Sequence, residues 1–367
     1  MFVGHALLAF ALTATVARVS GWSPERALSV GVVAGVFAAI PDVDMAYALL
    51  GVAGVGFADA LTLARAFWAT GNVVHRAVTH SLVLAVPVAL SVVLWVAGRR
   101  RVQSAALRGR LLAVGALLLS GGVVLVTGAE SGPLGAAVTV LFCGLAVLVA
   151  EQVAGRTDLS PTSVGLAAAV GLLSHPFGDL FTGQPPAMFY PLDTALFTGR
   201  VALHTDPTLH LLSAFGVELA TVWAALAVWG RLRGVSLRRV ASPWAGVGTG
   251  YALVIFLLPP PTLSVSYHFV FSVLAVGAVG LAPLLSRRSR LFDRGAFADG
   301  GVGPDDAEAR LDVNPASGLV SSAGEHPDHD RTPAPAAWRA ALPAVVTGLS
   351  AVTLASVAYG LAYLLTL

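Results

Sequence analysis

The sequence is short of charge and of cysteine, and it has no lysine at all. Only 11% of its 367 residues are Asp, Glu, Lys or Arg, where an ordinary soluble domain has about 25%. So few charges cannot cover a chain of this length in water, which excludes a water-soluble enzyme. The single cysteine, Cys143, cannot form an internal bridge, so a disulfide-stapled fold is excluded too. All 22 basic residues are Arg and the formal net charge is +2, which gives no footing for a nucleic-acid partner.

What the chain does have is apolar surface. Hydrophobic residues make up 56% of it and the mean hydropathy is +0.79. At ~20 residues per crossing this is enough for roughly ten transmembrane helices. Apolar runs of span length fall at 2–20, 27–41, 79–98, 111–129, 133–153, 162–182, 209–230, 243–259, 264–285 and 340–366. Residues 46–70 are apolar enough to lie in the interface or to re-enter. The opening MFVGHALLAF lacks the basic region and small-residue cleavage site of a signal peptide. The expected fold class is all-α: a multi-pass helical bundle of the inner (plasma) membrane, with about ten transmembrane helices.

Arginine placement orients that bundle. With ten spans, the clusters at 99–110, 231–239 and 287–294 fall on one side, together with Arg18, Arg26, Arg156, Arg310, Arg331 and Arg339. That puts 19 of the 22 Arg on one face and leaves Arg65, Arg76 and Arg200 on the other. The positive-inside rule makes the crowded face cytoplasmic and places both termini outside. Residues 286–338 are rich in Gly, Pro, Asp and Ala and hold 9 of the 20 acidic residues. Such a composition predicts a disordered acidic cytoplasmic loop, in which His326 and His329 read as solvated.

Ionisable residues at membrane depth are costly, so they mark candidate sites. Here they converge. His5 lies in span 1, Asp42 and Asp44 close span 2, His75, Arg76 and His80 open span 3, and His175 and Asp179 lie near the end of span 6. In the orientation set by Arg alone, all of these are at outer helix ends. His nitrogen with carboxylate oxygen suits a divalent ion, zinc first, with manganese or iron in a carboxylate-rich version. His175 and Asp179 are i,i+4 and share a helix face. Asp42 and Asp44 alternate in a turn begun by Pro41. Seven ligand-type residues exceed one ion's needs, so either two ions bind or some of the set orient ligands and act as general base. His204, Asp206 and His210 share the outer side, as ligands or substrate contacts.

The ordered blocks Gly4-His5, Pro41-Asp42-Val43-Asp44, His75-Arg76-x-x-Thr79-His80-Ser81-Leu82 and Ser174-His175-x-x-x-Asp179-x-x-Thr182 resemble one family. It is the membrane-bound metal-dependent hydrolases, which include the LexA-regulated inner-membrane protein of enteric bacteria. The resemblance covers residues 1–192. It implies a hydrolase related by its His/Asp pattern to zinc-dependent phospholipases C, with His5, Asp42, Asp44, His75, His80, His175 and Asp179 as metal ligands. Met45 stands where the family's pattern has His, and Ala77 where it has Gly, so one ligand for a second ion is missing. The implied division is a hydrolase-like domain (1–192), additional transmembrane helices (193–285), the acidic loop (286–338) and a C-terminal transmembrane helix (339–367).

The function expected is a metal-dependent hydrolase at the outer membrane interface, acting on phosphoester or lipid head-group substrates. Asp42 or Asp44 would serve as general base, and Arg76 or Arg200 would hold an anionic group. Membrane lipid is the expected partner. The rival readings are a metal or solute transporter and a non-catalytic membrane scaffold.

Overall fold

A computed structural model describes residues 2–71, 76–101, 106–282 and 336–367. Among these residues the regular structure is helical, and six helices are long and apolar enough to cross a membrane. Three shorter apolar helices accompany them: Val3–Val19, Pro243–Phe256 and Tyr267–Leu281. The 51-residue helix Ala106–Arg156 would be about 76 Å long if straight, against a hydrocarbon core of about 30 Å. It is two helices, not one. Gly132 has φ 67° and ψ −165° and is followed by Pro133, a conformation open essentially to glycine alone. Past this turn Gly135 comes back against the Thr127 carbonyl. Ten apolar helical segments result among the described residues, matching the ten runs read from the sequence. Residues 286–335 of the predicted acidic loop, with His326 and His329, lie outside the described residues, as does His75. Residues 336–338, expected to belong to that loop, begin the C-terminal helix.

The chain forms two compact units, the first comprising Met1–Ser236 and Pro260–Ser266. In order it contains α1 (Phe2–Val19), α2 (Pro24–Ala39), a 3₁₀ turn (Pro41–Tyr47), α3 (Ala48–Val55), α4 (Ala60–Gly71), a 3₁₀ turn (Val78–His80) and α5 (Leu82–Arg101). Then come α6 (Ala106–Arg156), α7 (Pro161–Gly178), a 3₁₀ turn (Asp179–Phe181) and α8 (Pro207–Leu232). Helix starts follow local chemistry. Ser23 caps α2, Ser160 caps α7 and Asp206 caps α8, each accepting a backbone N–H and each followed by Pro at the first helical position.

Helix α2 packs on α1 and α7, and α5 packs on α6 and α7. The buried faces of α1, α2 and α7 are built from Ala9, Ala14, Ala34, Ala38, Ala167 and Ala168, around Phe37 and Leu172. Small residues let helix backbones approach closely where no hydrophobic effect separates helix from lipid. That close approach brings the polar ends of α1, α2 and α7 together. Residues 46–70 form a short hairpin, α3 against α4. Asp59 starts α4, accepting from the Leu61 and Thr62 amides and from the Thr62 hydroxyl. The Thr62 hydrogen bonds hold its carboxyl below the usual carboxylate range.

The second unit, Leu237–Pro259 with Tyr267–Leu367, contains the 3₁₀ helix Pro243–Phe256, α9 (Tyr267–Val276), a 3₁₀ turn (Gly277–Leu281) and α10 (Ala336–Leu364). Tyr251, Phe269 and Tyr359 form an aromatic cluster with ring centroids 5.4–6.0 Å apart.

Candidate metal centre

Each site residue sits where a helix stops or starts, so its position follows from what ends that helix. Helix α2 gives way at Pro41, and the 3₁₀ turn beyond it carries Asp42 and Asp44 to opposite sides of one imidazole. His80 Nδ1 is 3.5 Å from Asp44 Oδ2, and His80 Nε2 is 4.0 Å from Asp42 Oδ1. Helix α7 ends at Gly178, with Pro176 in its last turn and Asp179 as its C-cap. His175 and Asp179 both turn inward there, as their i,i+4 spacing predicts. His5 enters from the first turn of α1. His80 is delivered by the 3₁₀ turn before α5, which begins at Leu82, after the predicted start at 79.

The resulting cluster is almost sealed. His80 and His175 are 0% exposed, Asp44 and Asp179 1%, and His5 3%. Its open margin is formed by the side chains of Asp42, 11% exposed, and Arg76, 15%. His5 Nε2 lies 3.3 Å from Asp179 Oδ1, and His80 Nε2 lies 3.1 Å from Asp179 Oδ2. His175 Nε2 is 3.5 Å from Asp42 Oδ1. The rings of His5 and His175 lie 3.9 Å apart, centroid to centroid. A Cβ on Gly178 would come within 2.5 Å of His5 Cε1, so only glycine leaves that ring its place.

The outward bonds of the imidazoles fix their inward faces. His175 Nδ1 is 2.6 Å from the Ala38 carbonyl, which only accepts, so Nδ1 carries the proton. Thr79 gives its one hydroxyl proton to Asp44 Oδ2 at 2.6 Å, and its oxygen is 2.9 Å from His80 Nδ1. That oxygen then accepts, and His80 Nδ1 also carries a proton. In the neutral tautomers so assigned, both Nε2 atoms present lone pairs to one another across 2.9 Å. Two lone pairs at that distance repel unless a positive charge, a proton or a metal ion, sits among them.

The surrounding groups fit a cation. His5 Nε2, Asp42 Oδ2 and Asp179 Oδ2 are buried without an aligned hydrogen bond, although His5 Nε2 and Asp179 Oδ2 keep ion-pair contacts of 3.1–3.3 Å. Buried atoms so incompletely satisfied are costly unless something binds them. Two sets have ligand atoms within 4.8 Å of one another: His5, His175 and Asp179, and Asp42, His80 and His175. His175 belongs to both. Asp44 joins neither among the described residues. It orients His80 through Thr79, the outer-layer role that a buried carboxylate takes beside a ligating histidine.

Arg76, expected from the sequence to hold an anionic group, is engaged with the chain itself. Its Nη1 donates to the carbonyls of Gln184 (3.0 Å) and Asp179 (3.4 Å), its Nη2 donates to Thr182 Oγ1 (3.2 Å), and its Nε is 3.3 Å from Asp179 Oδ2. It therefore positions Asp179. Its φ of 69° is left-handed, uncommon for a residue with a Cβ, and its carbonyl accepts from Ala187 N at 2.9 Å. Thr79, Gly178 and the Ala38 carbonyl were not read as functional from sequence. The signal for Thr79 was its place directly before His80. His204, Asp206 and His210 lie away from the cluster: Asp206 caps α8, and both histidines line a separate cavity.

A family model described as YdjM inner membrane protein matches residues 1–258, which include every residue of the cluster. No curated protein and no solved structure matches the chain.

Proposed function

Because the chain belongs to the YdjM inner membrane protein family and is a multi-pass inner-membrane protein, we propose that its His/Asp cluster holds a divalent cation and serves a hydrolase at the membrane surface. One observation carries the reading: two imidazole Nε2 atoms 2.9 Å apart, each with its Nδ1 already engaged outward. His5, His80, His175, Asp42 and Asp179 are the proposed ligand set, and three nitrogens with two carboxylates favour zinc. When bound, such an ion supplies a Lewis acid and a water acidic enough to ionise near neutral pH.

The remaining steps belong to the chain's own residues. Asp42, whose side chain is 11% exposed at the open margin, would take a proton from a water entering there. Thr79 and Asp44 keep His80 in one tautomer. Arg76 holds Asp179 and limits its swing. The proposed substrate class is a phosphoester at the membrane surface, supported by a cluster that gathers the ends of α1, α2 and α7 rather than lying along a polar path. Among the described residues the buried histidine and carboxylate side chains other than His210 all belong to the cluster. Of the hydroxyls deeper in the helices, Ser91 and Thr139 bond to their own turns, while Thr13 and Ser120 have no hydrogen-bond partner. The scarcity of charge along the helices favours a hydrolase over a transporter.

The test is elemental analysis of the detergent-purified protein beside a His175→Ala/Asp179→Ala variant, followed by assays with phosphomonoester and phosphodiester substrates. About one or more zinc per chain in the wild type, lost in the variant, together with ester hydrolysis, is the expected result. No metal in either protein after reconstitution would overturn the site. Metal without hydrolysis of any ester would leave the site and overturn the activity.

A further inference from the structure

We propose that the cavity between the 200–206 loop, the start of α8 and residues 262–264 binds a phosphate-type oxyanion. The proposal stands whether or not the His/Asp cluster is a hydrolase. The cavity measures about 320 Å³, and Arg200, His204, Thr205, His210, Thr262 and Ser264 supply its polar lining. Among the described residues no Asp or Glu lines it. The neighbouring Asp206 turns its carboxylate to the α8 backbone, where Oδ1 accepts from Leu209 N.

The polarity of the lining is set by backbone bonds. His210 Nδ1 accepts from Leu203 N at 3.1 Å, and His204 Nδ1 accepts from Asp206 N at 2.9 Å. An accepting Nδ1 leaves the ring proton on Nε2. Both histidines therefore bring an N–H donor, the reverse of the tautomer assigned to His80 and His175. His210 is 5% exposed, and its Nε2 is buried without a hydrogen-bond partner. A buried donor of this kind calls for an acceptor. With a guanidinium, two imidazole N–H groups and three hydroxyls, of which Thr262 and Ser264 bond to one another at 2.9 Å and so leave one proton between them, the cavity is rich in donors and has one fixed positive charge. That chemistry matches a tetrahedral oxyanion, and a metal ion would find no lone pair on either Nε2.

The place of the cavity gives the site a use. Val201 N donates to the Leu180 carbonyl at 2.8 Å, which ties the residue after Arg200 to the residue after Asp179. An oxyanion held by Arg200 and His210 is thereby anchored beside the segment that carries the candidate metal ligand. Two sources offer the same chemistry: a soluble phosphate or phosphorylated small molecule, and a phospholipid headgroup.

The experiment uses the full chain purified in a neutral detergent, compared with Arg200→Gln and His210→Phe. Equilibrium binding is measured with radiolabelled inorganic phosphate and, separately, with short-chain phosphatidylglycerol, and zinc content is measured on the same samples. Saturable binding of either probe, weakened at least tenfold in both variants with zinc content unchanged, is the expected result. Binding of inorganic phosphate identifies the soluble source, and binding of phosphatidylglycerol alone identifies the headgroup. Arg200 is exposed, so Arg200→Gln decides the matter if His210→Phe fails to fold. No saturable binding of either probe overturns the proposal, and so does equal affinity in wild type and Arg200→Gln. Loss of zinc in a His204→Ala/His210→Ala variant would overturn it in favour of a metal site.

Discussion

Thr79 has one hydroxyl proton and gives it to Asp44, and the direction of that gift decides which nitrogen of His80 faces the cluster. Thr79→Val keeps the shape and removes both bonds. Leaving buried polar groups short of partners costs about 1–3 kcal/mol, and losing an outer-layer partner weakens metal binding roughly 10–100-fold. Competition against a zinc chelator measures this, and Thr79→Ser is expected to restore most of the affinity. A Thr79→Val variant that binds zinc as tightly as wild type would mean that the His80 tautomer is set elsewhere. Gly178→Ala tests the same centre from below, since its Cβ would displace the His5 ring; zinc content is expected to fall while the helical circular dichroism stays unchanged. The His and Asp of the cluster were legible in the sequence because charge is rare in this chain and each instance stands out. Thr79 and Gly178 were not, since threonine and glycine are ordinary in membrane helices and neither carries charge. Arg76 showed its charge but not its partners, which come from a loop more than 100 residues away.

At the scale of elements, ten apolar runs were readable because hydropathy alone sets span length, and the turn at Gly132 lies in the gap between the runs 111–129 and 133–153. The local winding was less accessible. With Thr249 and Tyr251 as its polar side chains, the run Pro243–Phe256 has too few to mark a period, so its 3₁₀ winding is not separable in sequence from an α-helix of equal length. The α3–α4 hairpin was bounded in sequence only by its apolarity; Gly56 with φ 68° and the Asp59 cap are what break it into two. The Gly132 turn makes a direct prediction. Gly132→Val forces a β-branched residue into a conformation that costs about 1–3 kcal/mol. The melting temperature in detergent is expected to drop accordingly, whereas Gly121→Val, at a helical glycine whose Cβ would meet nothing within 4 Å, should leave it nearly unchanged.

For the molecule as a whole, the Arg distribution predicts an orientation that puts the site residues on the outer side. That orientation is testable because the chain has a single cysteine, which is buried. In a Cys143→Ser background, a membrane-impermeant maleimide is expected to label Thr198→Cys in intact spheroplasts and Ser236→Cys only after lysis. The opposite pattern would put the cluster on the cytoplasmic side. The near-complete enclosure of His80 and His175 has a further consequence, in time rather than in space. An ion seated between these two imidazoles would exchange only through the narrow margin left by Asp42 and Arg76. Its exchange would then be slow beside the diffusion of a chelator, so that competition has to be followed to equilibrium. Brief washing with EDTA should fail to strip zinc that was loaded during biosynthesis. The metal-free form would then need prolonged dialysis against a chelator, or growth of the cells without the metal.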